Sequence, residues 1–398
     1  MRLTVFVIFL VLVLAALAQA QTFTVLHSFT GSPDGGFPMT GVIQDPAGNL
    51  YGTTTYGGGQ NCFPFGCGSV YEVTTAGRET VLHSFSGPDG DWPYGPVTRD
   101  KAGNIYGTAG EGGSPNCAGG CGLVFKIDTA GNETMLYNFT GGSDGCYPAQ
   151  GLIRDEAGTL YGTTSGCGSS HAGTIFKVDR AGNFTLLHSF TGGSSDGAFP
   201  DYGHLTMDQS GNLYGVTVDG GASTACGPYG CGVLYRLSEN GKFTLLHSFA
   251  GGTTDGCNPW GSVVRDKAGT LYGTTYYCGS SNNGTIWRVC KKGKETILHN
   301  FAGGASDGCY PPAGVIRDSK GNLYGVAVEC GANGYGALYE LGVGGMFTLL
   351  HSFAGRDGAQ PAGEVWQTAK GELFGTADLG GTRNCSGDAC GTVWSYVP

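Results

Sequence analysis

A variant of Leu-His-Ser-Phe occurs seven times, beginning at Leu26, Leu82, Leu136, Leu187, Leu246, Leu298 and Leu350, at intervals of 56, 54, 51, 59, 52 and 52 residues. Self-similarity at this period means that each unit is one supersecondary element that buries its apolar faces against its neighbours, so the chain is an array and not a single conventional core.

Four short runs fill each unit, at 41–45, 49–54, 69–73 and 80–85 in the first. They are rich in β-branched and aromatic residues and are bounded by Gly, Asn, Asp or Pro, which reads as strands between turns. Tight links such as Ala47-Gly48-Asn49, Ala130-Gly131-Asn132 and Ala268-Gly269-Thr270 make consecutive strands antiparallel neighbours. Seven four-stranded antiparallel units predict an all-β, seven-bladed β-propeller. The ends agree: a lone fourth run, 23–29, opens the mature chain, and the last unit, at Gly363, Glu372 and Thr392, lacks its fourth run. Pairing the N-terminal strand with the C-terminal blade closes the ring and leaves no open edge there. A right-handed β-helix has shorter coils and leaves the complementary ends unexplained.

The first twenty residues carry Arg2, an apolar run from Leu3 to Leu17 and a small-x-small site, Ala18-Gln19-Ala20. They read as a secretory signal peptide, 1–20, ahead of a single propeller domain, 21–398. Elsewhere no apolar run reaches the roughly 20 residues of a spanning helix. With 76 Gly and only 13% charged residues the chain is neither a helical bundle nor charge-rich disorder, and 20 Tyr, 20 Phe and 5 Trp supply core. A net charge of −10 without basic patches argues against nucleic acid or an anionic membrane as partner.

Fifteen cysteines in an exported chain predict disulfides. Four units hold a close pair in the loop between the second and third runs: Cys62 with Cys67, Cys117 with Cys121, Cys226 with Cys231, and Cys385 with Cys390. The other three place one cysteine there and one in the loop joining consecutive units: Cys146 with Cys167, Cys257 with Cys278, and Cys309 with Cys330. Both loops emerge on one face of an up-and-down blade, so the expectation is one bridge per blade on that face. Zinc is not expected, since each loop offers two thiols and no nearby His. Cys290 is left over, at the end of a third run, as a partly exposed thiol or an intermolecular link.

The segments Gly-Val-Ile-Arg-Asp at 314–318, Ala-Gly-Asn-Leu-Tyr-Gly-Thr-Thr at 47–54, Gly-Thr-Ile-Phe-Lys-Val at 173–178 and Leu-His-Ser-Phe at 187–190 resemble the GloVer tandem-repeat family over nearly the whole mature chain. The resemblance implies an exported bacterial protein, secreted or at the surface, and no particular chemistry. Family members often carry a sorting anchor after the repeats, whereas here the last strand runs directly to Pro398.

Residues demanded in every unit read first as fold requirements. The Asp-Gly pairs at Asp34, Asp89, Asp144, Asp196, Asp255, Asp307 and Asp357 suit turn chemistry better than calcium, which wants six to eight oxygens. His27, His83, His188, His247, His299 and His351 occupy equivalent outer positions, too far apart for one metal site, and read as structural hydrogen-bonding groups. No metal or cofactor is expected. Aromatic residues after the Asp-Gly pairs, Phe37, Trp92, Tyr147, Phe199, Trp260 and Tyr310, are ligand-binding candidates on the loop face, with packing between blades as the alternative.

Counting four back from the Asp that ends each first run gives Gly41, Pro96, Gly151, His204, Ser262 and Gly314, with Glu364 at the matching place in the last unit. His204 and Glu364 break the pattern and are the candidates for acid–base chemistry or ligand binding at the channel mouth. His171 is a further singleton. The expected function is therefore that of a secreted, monomeric binding or interaction module for an extracellular ligand, a glycan or a protein. The alternative is a secreted hydrolase or lyase acting on a glycan or small molecule at the channel mouth.

Overall fold

The computed structural model describes residues 21–398 apart from 59–61, 63–64, 149, 292 and 382–389. The expected signal peptide and Cys385 lie outside these residues. The described chain forms seven four-stranded antiparallel sheets, blades 1 to 7, in sequence order around a ring. In blade 1 the strands are Ile43–Gln44, Leu50–Thr54, Ser69–Val73 and Glu79–Ser84. Blade 7 is completed by the N-terminal strand Thr22–Ser28, which pairs with Thr392–Val397 beyond Leu373–Ala377 and Trp366–Gln367. The ring is thus closed by the two ends of the chain.

The repeat residues are those that make blades stack. The Phe of every Leu-His-Ser-Phe copy, Phe29, Phe85, Phe139, Phe190, Phe249, Phe301 and Phe353, is fully buried, each burial stabilising by about 2–3 kcal/mol. Each of these rings lies on the third-strand aromatic of the next blade, as Phe29 does on Tyr71 and Phe353 on Trp394, at 5.0 and 5.8 Å between centroids. That aromatic covers the second-strand glycine opposite it. A Cβ on Gly52 would stand 2.5 Å from the Tyr71 hydroxyl, and one on Gly375 would stand 2.3 Å from the Trp394 ring.

The repeat Leu has a separate task. A bulge in the fourth strand, between Val25 and His27 in the first copy, leaves Leu26 without a partner across the ladder. Leu26 turns into the core shared by blades 7 and 1, and Leu82, Leu136, Leu187, Leu246, Leu298 and Leu350 do the same at the other six blade junctions.

The repeat His and the Asp-Gly aspartate of the following loop form one unit. In six units the histidine Nε2 lies 2.8–3.4 Å from that carboxylate, as at His188–Asp196 and His351–Asp357. In the remaining unit the Tyr137 hydroxyl donates to Asp144 at 3.0 Å. The same carboxylates accept backbone N–H groups of their own loops, from Thr30, Ser86, Thr140 and Thr191 onward. They pin each blade-to-blade crossing to the strand that precedes it.

Six disulfides join Cys62 to Cys67, Cys117 to Cys121, Cys146 to Cys167, Cys226 to Cys231, Cys257 to Cys278 and Cys309 to Cys330, with Cα separations of 5.0–5.4 Å. Cys390 is disulfide-bonded as well. Bridges of this number fit an oxidising, extracellular or periplasmic compartment. Cys290 takes no part in the six; its backbone closes the turn before the fourth strand of blade 5, its N–H donating to Lys294. No helix among the described residues is long and apolar enough to cross a membrane.

Candidate functional site at the channel mouth

The crossing loops and mid-blade loops meet on one face. They pair with each other in every unit, as Gly36 with Tyr56, Asp91 with Glu111, Cys146 with Gly166, and Gly256–Cys257 with Tyr277–Cys278. Where this face meets the axis, a cavity of about 360 Å³ opens, lined in part by Trp92, Tyr94, Tyr147, Tyr202, His204 and Glu364.

Its floor is the ring of first-strand residues. Backbone converges there: a Cβ on Gly41 would stand 2.3 Å from the Glu364 carbonyl oxygen, and one on Gly151 would stand 2.6 Å from Pro96. Most copies therefore carry Gly, Ser or Pro. Two do not, and they meet. His204 of blade 4 donates from Nε2 to Glu364 of blade 7 at 2.8 Å, over the side-chain-free Gly314, where a Cβ would come 2.9 Å from the Glu364 carboxylate. Nδ1 of His204 faces the Leu205 carbonyl at 3.0 Å, so both ring nitrogens have acceptors and the imidazole is held as a cation. Ser262 accepts the His204 backbone N–H at 3.0 Å and bonds Glu364.

Burial opposes charge on the imidazole, but the Glu364 carboxylate outweighs it, and the His204 pKa is pushed up to about 9. Burial opposes the Glu364 charge too, yet the imidazolium and the Ser262 hydroxyl hold that carboxyl below its ordinary value. At neutral pH the floor is an ion pair.

The wall contains groups that residue-by-residue reading passed over. In blade 4 Asp208 follows Phe199 at a spacing of nine, where the corresponding spacing elsewhere, such as Phe37 to Asp45, is eight. The extra residue puts Asp201 and Tyr202 on the rim, with Tyr202 at a φ of 71°. Tyr202 stacks on Trp260, which stacks on Tyr276, at 4.5 and 3.9 Å. Across the mouth, Trp92 meets Tyr94 edge to face at 5.7 Å and Tyr56 at 6.1 Å. Burial pushes the Asp201 pKa up to about 6 against a hydrogen bond to Ser165, with Asp219 adding to the rise. Asp378 of blade 7 is buried, and burial takes it to about 7; its Oδ1 has no hydrogen-bond partner among the described residues.

Of the six aromatic candidates, Trp92 and Tyr147 line the cavity. Phe37, Trp92, Tyr147, Phe199 and Tyr310 share one left-handed backbone position, whose blade 5 occupant is Asn258 and not Trp260. Trp260 stands two residues further on and joins the site through its stack with Tyr202. Phe199 packs against the core between blades 3 and 4, and Phe37 against Tyr56. His171 is exposed on its mid-blade loop, away from the cavity.

Fold and cavity together define a disulfide-bearing repeat propeller with an acidic, aromatic channel mouth. The Gloeobacter/Verrucomicrobia repeat matches residues 13–155, 118–311 and 223–398, and the chain belongs to that family. No curated protein matches it in sequence. Among solved structures it is similar to the extracellular domain of a protein described as a hybrid two component system from B. thetaiotaomicron, at 11% identity and a TM-score of 0.56. That match covers 95% of this chain but 41% of the other, so the chain spans well under half of that relative's length. It is also similar to a protein described as a 6-phosphogluconolactonase from Bacteroides uniformis, at 12% identity and a TM-score of 0.50, covering 83% and 95% of the two chains. At these identities the likeness is one of fold.

Proposed function

We propose that the protein is an extracellular binding module that takes its ligand at the channel mouth, with Trp92 and Tyr147 in direct contact and Trp260 in support. The observation that carries this reading is the aromatic cavity itself, set on a face stiffened by disulfides and by crossing loops tied to mid-blade loops. Rigid rings offer large contact area at small entropy cost. The alternative is a hydrolase or lyase with His204 and Glu364 at its centre, and their 2.8 Å contact is what favours it. An imidazolium with a pKa near 9 is a poor base at neutral pH, so His204 would serve there as acid or hydrogen-bond donor. A phosphorylated sugar fits less well than a neutral or cationic ligand, because no Lys or Arg lines the cavity among the described residues. A glycan-array and pull-down screen of the mature chain, repeated with Trp92→Ala and Tyr147→Ala, tests the binding reading. Hits that both substitutions weaken support it; hits indifferent to both overturn it.

A further inference from the structure

The lining of the cavity combines four aromatic rings, Trp92, Tyr94, Tyr147 and Tyr202, with the carboxylates of Glu111 and Asp201. The one basic group among the described lining residues, His204, is already paired with Glu364. Neither Glu111 nor Asp201 has a Lys, Arg or His within 4 Å among the described residues, where every ion pair is between a His and a carboxylate. Asp91 and Asp378 stand behind the same wall, near enough to Tyr56 to raise its pKa after burial has done so. Carboxyl groups thus flank π faces in a concave site whose described lining holds no Lys or Arg.

We infer that the channel mouth binds a small organic cation, an amine or quaternary ammonium group, whose charge lies against the Trp92, Tyr94, Tyr147 and Tyr202 rings and is balanced by Glu111 and Asp201. Ring faces and carboxylates both attract a weakly hydrated cation, and perpendicular rings such as Trp92 and Tyr94 present faces to it from two sides. The volume, about 360 Å³, is near the small end of ligand sites and suits a headgroup-sized molecule.

The inference rests on the binding reading and adds the ligand's charge. Asp201 gives it a second signature. Facing Asp201 are the Ser165 hydroxyl of blade 3, the Asp219 carboxylate of blade 4 and the Tyr202 phenol, none of them cationic. With a pKa pushed up to about 6, Asp201 is partly protonated in mild acid, so a bound cation expels its proton and affinity rises with pH through that range.

The test titrates the mature protein with choline and with its uncharged isostere 3,3-dimethylbutan-1-ol, following tryptophan fluorescence and heat. Choline should bind at least about tenfold more tightly than the alcohol. Trp92→Ala and Asp201→Asn should each weaken choline about fivefold or more, and Asp201→Asn should flatten the rise in affinity between about pH 5 and pH 7. Equal binding of choline and the alcohol, or no choline binding up to about 10 mM, overturns the cation assignment. Glycan or protein hits from the screen above, should they persist in that case, leave the binding reading standing with a different ligand.

Discussion

His204 and Glu364 are 160 residues apart and three blades apart, yet their side chains meet at 2.8 Å across the axis of the ring. The contact exists because five of the seven equivalent positions carry Gly, Pro or Ser, and Gly314 in particular leaves the space that the carboxylate occupies. It ties blade 4 to blade 7 across the ring.

This pair should make stability depend on pH in two windows. His204 has a raised pKa, so its contribution is complete below its ordinary 6.5 and is lost as pH climbs through about 9. Glu364 has a lowered pKa, so its contribution is complete above its ordinary 4.5 and is lost as pH falls below that. Urea unfolding of the wild type and Glu364→Gln should therefore differ most between pH 4.5 and 6.5, by about 2 kcal/mol, and converge toward both extremes. A difference that stays flat with pH would show that the pair is not charged.

Asp378 should behave with the opposite sign to Glu364. Burial raises its pKa from 3.8 to about 7, so the folded state binds the proton more tightly and loses stability as pH rises across that interval. Asp378→Asn, which mimics the neutral acid, should match the wild type near pH 3.8 and exceed it by about 2 kcal/mol above pH 7, by denaturant midpoint.

Most of the fold is legible in the repeat, because the Phe, Gly and Leu of each copy have one packing role apiece and the roles recur seven times. The pairing of the six described disulfides is legible for the same reason. The His and Asp of six units, like Tyr137 and Asp144 of the other, are visible as fold residues, but their partnership is not, since it depends on the bulge at Leu26 and its equivalents. The site is half legible: His204 and Glu364 show up as departures at one position. Asp201 and Tyr202 stay hidden because an inserted residue shifts the comparison, and the only signal is a spacing of nine where the other units have eight. Trp260 is misplaced by proximity to Pro259, when the residue in register is Asn258.

The second-strand glycines should resist the smallest substitution. In Gly52→Ala the new methyl would stand 2.5 Å from the Tyr71 hydroxyl, against a ring that is fully buried. A cost of about 2–3 kcal/mol is expected in thermal or denaturant unfolding, whereas Gly371→Ala, at a turn with open space around it but a positive φ, should cost about 1 kcal/mol. Equal costs would contradict the packing role assigned to Gly52.

Neighbouring disulfides should exchange when one of them is opened. The sulfurs of Cys117, Cys146 and Cys167 lie within 4.8 Å of one another across blades 2 and 3, as do those of Cys226, Cys257 and Cys278 across blades 4 and 5. A thiolate freed at Cys117 is thus in reach of the Cys146–Cys167 bond. Peptide mapping after brief partial reduction should find Cys117 joined to Cys146 or Cys167, while unreduced protein shows Cys146 joined to Cys167 alone.

The central claim is that recognition takes place where the seven copies disagree, at the channel mouth. The direct measurement is one binding screen run in parallel on the wild type, on Trp92→Ala/Tyr202→Ala at the mouth, and on Arg154→Ala/Arg317→Ala, whose guanidinium groups lie over the second-strand tyrosines Tyr106 and Tyr272 of the preceding blades, away from the cavity. Loss of the wild-type hits in the first variant and their retention in the second is the predicted result. Retention in the first with loss in the second would place recognition elsewhere on the propeller and contradict the account.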